Sequence, residues 1–201
     1  MNNQPTKDCN AIVLSANTSW YLYNFRSNLI SELISRGYDV SVFAPKDQCS
    51  HLLQHMGCRY IGIKIDRHGL NPLKDLLTIL SYWRQLRAVR SFLLVNFTIK
   101  PVIYGGLAAR VLKQKTVSIV PGLGTAFIHP GWVTQIVNLL YRLSLKKSIR
   151  VGFENSDDLD LFKSRKMIEP RQGFRIAGPG VDTKKFRFTE LPNNEVPIIL
   201  F

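Results

Sequence analysis

Short apolar runs alternate along the chain with longer segments whose apolar residues recur every three or four positions. Ala11-Ile-Val-Leu-Ser-Ala16 is the first run, nearly continuous in hydrophobicity and ending in small residues, the form of a strand buried on both faces that opens into a loop. Leu22, Phe25, Leu29, Leu33 and Ile34 follow at helical spacing, and Gly37 offers a left-handed stop. Residues 38–44, closed by Pro45, read as a second strand and complete a β-α-β unit. The pattern then repeats. A short helix ends near Gly57, a strand covers 58–65, and Asn71 caps a helix with Pro72 in its first turn, where the missing N–H costs nothing. That helix carries Leu73, Leu76, Leu77, Leu80, Trp83, Leu86 and Val89 as one apolar stripe, opposite Lys74, Arg84 and Arg87. Strand 92–97, helix 101–112, strand 116–120, helix 131–148, strand 149–153 and a short helix over 157–163 continue the alternation. The expected fold class is α/β, a doubly wound Rossmann-like parallel sheet. At the end of the chain, 191–195 reads as a linker and 196–201 as a buried strand, either a last edge strand or the opening of a second domain.

Composition narrows the class without choosing a ligand. Of 201 residues 45% are hydrophobic, enough for a real core. Cys9, Cys49 and Cys58 are odd in number and lack metal-like spacing, so neither a disulfide framework nor a zinc site is expected, and a reducing, cytoplasmic compartment fits. No segment approaches the roughly 18 apolar residues of a membrane span, and 11–16 is too short for a signal-peptide core. The formal charge of +13 predicts attraction to polyanions, whether nucleic acid, anionic lipid or a phosphorylated substrate. The basic residues are scattered and form no recognised nucleic-acid motif, so nucleic acid is not the expected partner.

In an open parallel sheet ligands bind outside the carboxyl ends of the strands, which directs attention to the loops there. Asn17, Thr18 and Ser19 follow the first strand and lead into a helix, where they can cap it, contact a ligand, or do both. Thr98 and Lys100 follow the fourth strand, and the ammonium of Lys100 sits against the positive end of a helix, an uncomfortable place unless it has an anion to meet. Gly122, Leu123 and Gly124 follow the fifth, where glycines either shape a turn or let backbone approach a ligand. Asn155 follows the sixth and reads as a helix cap with Asp157 and Asp158 in the first turn, or as a residue facing the cleft. His129 is near enough to the glycines to be weighed as a base, whereas His51, His55 and His68 have no metal-like companions. The helices bearing Trp83, Arg84, Arg87 and Arg90 and Trp132 to Lys147 combine aromatic and basic residues, as membrane-surface helices do and as core helices with a basic solvent face also do. Neither the glycine fingerprint for dinucleotides nor the phosphate-binding GxxxxGK[ST] motif is present.

Five segments in order resemble the amino-terminal domain of GT-B glycosyltransferases of family 4, the type that extends bacterial lipid-linked oligosaccharides, O antigens (lipopolysaccharide) and capsules. They are Asn24-Phe-Arg-Ser-Asn-Leu29 with Arg36-Gly-Tyr-Asp-Val-Ser-Val42, Phe97-Thr-Ile-Lys-Pro-Val-Ile-Tyr-Gly105, Pro121-Gly-Leu-Gly-Thr-Ala-Phe127, Phe153-Glu-Asn-Ser-Asp-Asp-Leu159 and Gly178-Pro-Gly-Val-Asp182. The resemblance implies an acceptor-side domain over 1–190, with 191–201 as linker and first strand of a donor-binding domain whose remainder, including the family's paired glutamates, is not in this sequence. It also implies retaining transfer of a hexosyl or N-acetylhexosaminyl group from a nucleotide sugar to a saccharide acceptor, expected to be lipid-linked, at the inner face of the cytoplasmic membrane. No metal or cofactor is implied, since the nucleotide sugar is a substrate, and this half alone is expected to be inactive. Asn17, Thr18, Ser19, Thr98, Lys100, Gly122, Leu123, Gly124 and Asn155 are the expected substrate-binding residues, with no catalytic residue assigned. The alternative is a standalone Rossmann-like module that binds a phosphorylated or nucleic-acid ligand without catalysis.

Overall fold

The computed structural model describes residues 10–66, 71–123 and 131–190. The chain forms strands β1 (Ala11–Ser15), β2 (Asp39–Ala44), β3 (Arg59–Gly62), β4 (Leu93–Phe97), β5 (Lys115–Val120), β6 (Ser148–Phe153) and β7 (Gly173–Arg175). Helices α1 (Ser19–Ser35), α2 (Ser50–His55), α3 (Pro72–Val89), α4 (Gly106–Val111), α5 (Trp132–Leu145) and α6 (Ser156–Ser164) connect them, and a π-helical turn, Pro101–Gly105, runs directly into α4. All pairings are parallel, in the order β3-β2-β1-β4-β5-β6-β7. This is the expected doubly wound α/β sheet, and strand order reverses between β1 and β4.

Strands β1 and β2 have almost no exposed position, which explains why they read as continuous apolar runs rather than alternating ones. Two buried clusters lie on the two faces. One gathers Phe43, Tyr82, Leu86, Val102, Tyr141 and Phe153. The other gathers Leu14, Leu22, Ile30, Val42, Leu53 and Phe97. Asn71 caps α3 as expected, accepting from the N–H groups of Leu73 and Lys74 at 3.1 and 3.2 Å. Residues 196–201 lie outside the described residues.

Two helices depart from the apolar stripes read in the sequence. On α3 the buried side chains are Thr78, Tyr82 and Leu86, while Leu73, Leu76, Leu77 and Leu80 are 50–68% exposed. Those leucines therefore share the outward face with Arg84 and Arg87 instead of opposing them. The apolar arc of α3 is wider than the seat available to it. The seat is taken by Tyr82, whose ring fits because residue 105 is glycine: a Cβ there would come within 3.2 Å of the ring and 2.7 Å of Asn96 Oδ1. Its neighbour Gly106 is also closely faced: a Cβ there would come within 3.0 Å of Ser144 Cβ on α5. On α1, likewise, the buried residues are Ser19, Leu22, Arg26 and Ile30, leaving Phe25 and Leu29 about two-fifths exposed.

Candidate functional site

The loops after β1, β4, β5 and β6 all open at the carboxyl edge of the sheet, as parallel strands require, and the first two meet at the reversal of strand order. There the N–H of Asn17 donates to Thr98 Oγ1 at 3.0 Å, and the Thr98 hydroxyl donates to its neighbour's carbonyl, Phe97 O. Thr98 adopts φ 65°, a left-handed conformation that costs a β-branched residue roughly 1–2 kcal/mol. The strain is held in place by those two hydrogen bonds, and strain of this kind gathers at functional loops. The side-chain oxygen of Asn17 is buried with no hydrogen-bond partner among the described residues.

The other candidates divide by what already occupies them. Thr18 caps α1, its hydroxyl accepting from Tyr21 N–H at 2.9 Å. Ser19 is fully buried; its hydroxyl donates to Pro45 O at 2.9 Å and accepts from Ser50 at 3.0 Å, so it ties the β1 loop to the β2 loop. Asn155 caps α6, accepting from Asp158 N–H at 2.7 Å and donating to the Asp158 carboxylate at 2.9 Å, which engages both ends of its amide. Lys100 makes an ion pair with Asp75 of α3 at 3.4 Å, both side chains mostly buried. Tyr104 from the π turn hydrogen-bonds the same carboxylate, and burial, reinforced by Asp75, pushes its phenol well above the usual range. The anion that the Lys100 position called for is thus supplied, at least in part, by the protein itself.

Gly122 differs from these. It is not in the left-handed region, and among the described residues a Cβ built on it meets nothing within 4 Å, so neither its backbone nor the described packing demands glycine there. Its neighbour Leu123 is half-buried and packs against the larger core cluster. Gly124 and His129 lie outside the described residues.

The structure adds a pair that loop reasoning missed. Arg26, 7% exposed, reaches from α1 to Glu154 of the β6 loop at 3.5 Å and donates to the Tyr21 hydroxyl at 2.8 Å. Its guanidinium lies 4.6 Å from the centroid of the Phe97 ring. Burial raises the Tyr21 phenol, and the Arg26 charge and hydrogen bond oppose that shift. Gly178 adopts the left-handed φ of +82° that favours glycine, and a Cβ built on it would lie 3.9 Å from the Glu154 carboxyl carbon. The signal was present in the sequence: Leu22, Arg26 and Ile30 share the i, i+4, i+8 register, which places an arginine in the apolar row.

Beside this edge lies an apolar groove between the first turns of α3 and α5. Its volume is about 370 Å³, and Pro72, Leu76, Ile79, Trp132, Ile136 and Leu140 line most of it, with polar atoms from Asp75 and Tyr104. Trp132, Ile136 and Leu139 are 48–73% exposed, so both flanking helices present bare apolar side chains at their amino ends. Arg84, Arg87 and Arg90 near the carboxyl end of α3, and Arg142, Lys146 and Lys147 near that of α5, are exposed cations. A wider hollow of about 840 Å³ adjoins the carboxyl ends of β2 and β3, with Lys46, Lys64 and Lys74 in its lining. Among the described residues no helix is long and apolar enough to cross a membrane, and no three His, Cys, Asp or Glu side chains are grouped to hold a metal.

No curated protein matches the chain. Among solved structures, a glycosyltransferase from Rickettsia africae superposes with a TM-score of 0.62 at 13% identity, over 89% of this chain and 45% of its own. Anabaena HepE, determined with UDP and glucose, superposes with a TM-score of 0.61 at 12% identity, over 87% and 45%. Acinetobacter baumannii MurG gives 0.54 at 16% identity, over 87% and 46%. The chain thus spans less than half the length of each, and at these identities the likeness shows the fold. The glycosyl transferase 4-like family model matches residues 11–155, from β1 to the cap of α6, and so takes in the loops after β1, β4, β5 and β6. The chain belongs to that glycosyl transferase 4-like family.

Proposed function

We propose that this chain is the acceptor-side half of a retaining glycosyltransferase that moves a hexosyl or N-acetylhexosaminyl group from a nucleotide sugar to a lipid-linked saccharide, in cell-surface polysaccharide or glycan synthesis. The nucleotide sugar is a substrate held mainly by a second Rossmann-like domain, and no metal or cofactor is invoked. One observation carries the reading: the bare apolar amino ends of α3 and α5 flank a groove at the same edge of the sheet as the family's cleft loops. An acceptor that is free in water gives no reason to leave four leucines and a tryptophan uncovered there. With those side chains at the headgroup–acyl boundary of the inner face of the cytoplasmic membrane, Arg84 on the same outward face of α3 meets anionic headgroups. HepE, solved with UDP and glucose, supports a nucleotide-sugar donor.

Within the cleft, Asn17, Thr98, Gly122 and Leu123 are the residues we assign to substrate. Lys100 has three N–H donors, so it can keep Asp75 and still donate to an acceptor diphosphate. Thr18, Ser19 and Asn155 hold the loops in place, and Gly124, outside the described residues, is assigned to substrate with Gly122. The test is transfer by the full-length protein, assayed by mass spectrometry with a panel of nucleotide sugars and two acceptors, a lipid-linked diphosphate saccharide and its water-soluble counterpart. The expected product is the lipid-linked acceptor heavier by one sugar. Transfer to the soluble acceptor at the same rate, with or without vesicles, would remove the lipid from the proposal.

A further inference from the structure

The opposite edge of the sheet holds a hollow of about 560 Å³ where the carboxyl ends of α3 and α4 meet the amino ends of β4 and β5. Six residues of extended chain separate Phe92, in its lining, from Thr98, which at ~3.3 Å per residue puts the two sites roughly 20 Å apart. Arg87, Arg90, Lys113 and Lys115 line it, with no carboxylate in the lining. Among the described residues none of these four takes part in an ion pair.

Cations are expected near helix carboxyl ends, so charge has to be counted before a ligand is invoked. Each helix terminus presents roughly half a negative charge. Two termini offset about one of the four cations, which leaves about three positive charges around one hollow. The two turns that carry these cations are tied to each other. Gln114 Nε2 donates to both Ser91 O, at 3.0 Å, and Ser91 Oγ, at 2.5 Å, which ties the turn bearing Arg90 to the turn bearing Lys113 and Lys115. The Arg87 guanidinium rests 5.2 Å from the Trp83 ring centroid. Cations gathered around a hollow, without acids in its lining, match a multiply charged oxyanion.

We propose that this hollow is a binding site for a phosphate-bearing ligand, separate from the cleft and independent of the glycosyl-transfer reading. A soluble phosphate ester and an anionic lipid headgroup share the required chemistry. Pyrophosphate is the probe, titrated into the chain by calorimetry and followed by amide NMR. Saturable binding with shifts at residues 90–92 and 112–115 is expected. Arg90→Asn with Lys113→Asn, where asparagine accepts the left-handed backbone of both positions, should weaken binding at least tenfold. Arg84→Gln with Lys147→Gln, an equal loss of charge outside the lining, should change it less than twofold. Vesicles separate the two sources. Extra retention on phosphatidylglycerol over phosphatidylcholine vesicles that pyrophosphate competes away and the Asn pair removes identifies a headgroup; pyrophosphate binding unaltered by vesicles identifies a soluble ligand. Equal weakening in both double variants, or shifts spread over the surface without saturation in the unmutated chain, overturns the site.

Discussion

Replacing Leu73, Leu77 and Leu80 of α3 by serine perturbs the outward face and leaves the groove lining intact, since Leu76 is retained. The three are 68%, 59% and 50% exposed. Burying a whole leucine side chain contributes about 2 kcal/mol, so inserting the bare part of each into a bilayer boundary contributes about 1 kcal/mol. The triple variant should therefore lose about 3 kcal/mol of membrane affinity, on the order of a hundredfold in partitioning, since 1.4 kcal/mol is a factor of ten. Cosedimentation with mixed phosphatidylglycerol and phosphatidylcholine vesicles measures this directly. A thermal melt of the same variant separates the reasoning from its rival. If these leucines were core residues, each truncation would cost about 2–5 kcal/mol and the triple would not fold. As exposed residues they should each move stability by no more than about 0.5 kcal/mol. A partition coefficient that falls less than threefold, or a collapsed melting temperature, refutes the argument.

The strained loop should reverse the usual ranking of substitutions. Thr98→Gly relieves a left-handed cost of about 1–2 kcal/mol while losing the hydroxyl's hydrogen bonds, so its unfolding free energy should stay within about 1 kcal/mol of the parent; Thr98→Val keeps the strain, loses the same bonds and should be the less stable of the two in urea. Gly122→Ala should leave the melting temperature unchanged because its Cβ meets nothing among the described residues, and should lower transfer by the full-length enzyme; unchanged kcat/KM would remove Gly122 from the cleft. Burial pushes the Cys58 thiol up to about 11 from 9.0. Above about pH 9 the unfolded chain gives up that proton while the folded chain keeps it, so the thiol's contribution is intact below pH 9 and is lost as pH rises towards 11. Urea midpoints at pH 8 and 10.5, with Cys58→Ala as the reference, should show the steeper decline in the parent.

The fold was legible because buried parallel strands announce themselves: β1, β2 and β4 need apolar residues on both faces, and each ends in a loop that the topology sends to one edge. Strand β7 was not legible. Gly173–Arg175 is three residues long, pairs among the described residues with β6 alone and lies in a basic stretch, so it exists by virtue of β6 rather than of its own sequence. The position of the site followed from the strands, but its bonds did not. Asn17 and Thr98 are 81 residues apart, and Arg26 and Glu154 are 128 apart. Which atoms meet over such separations is decided by the packing of α1 against the sheet. Periodicity misled on α3 because it reports how much of a helix is apolar, whereas the neighbour's shape selects which part is covered.

That selection rests on two missing methyl groups. At Gly105 and Gly106 the chain from β4 presses against Asn96 and Tyr82 on one side and Ser144 of α5 on the other, at separations a side chain would have to widen. The pair therefore acts as a spacer of zero thickness between the helices that bound the apolar groove. An alanine at either position would act as a wedge, pushing α3 or α5 outward and changing the width of a channel that neither glycine touches. The calibre of the groove is accordingly encoded at its back, in residues that a search for ligand contacts would pass over.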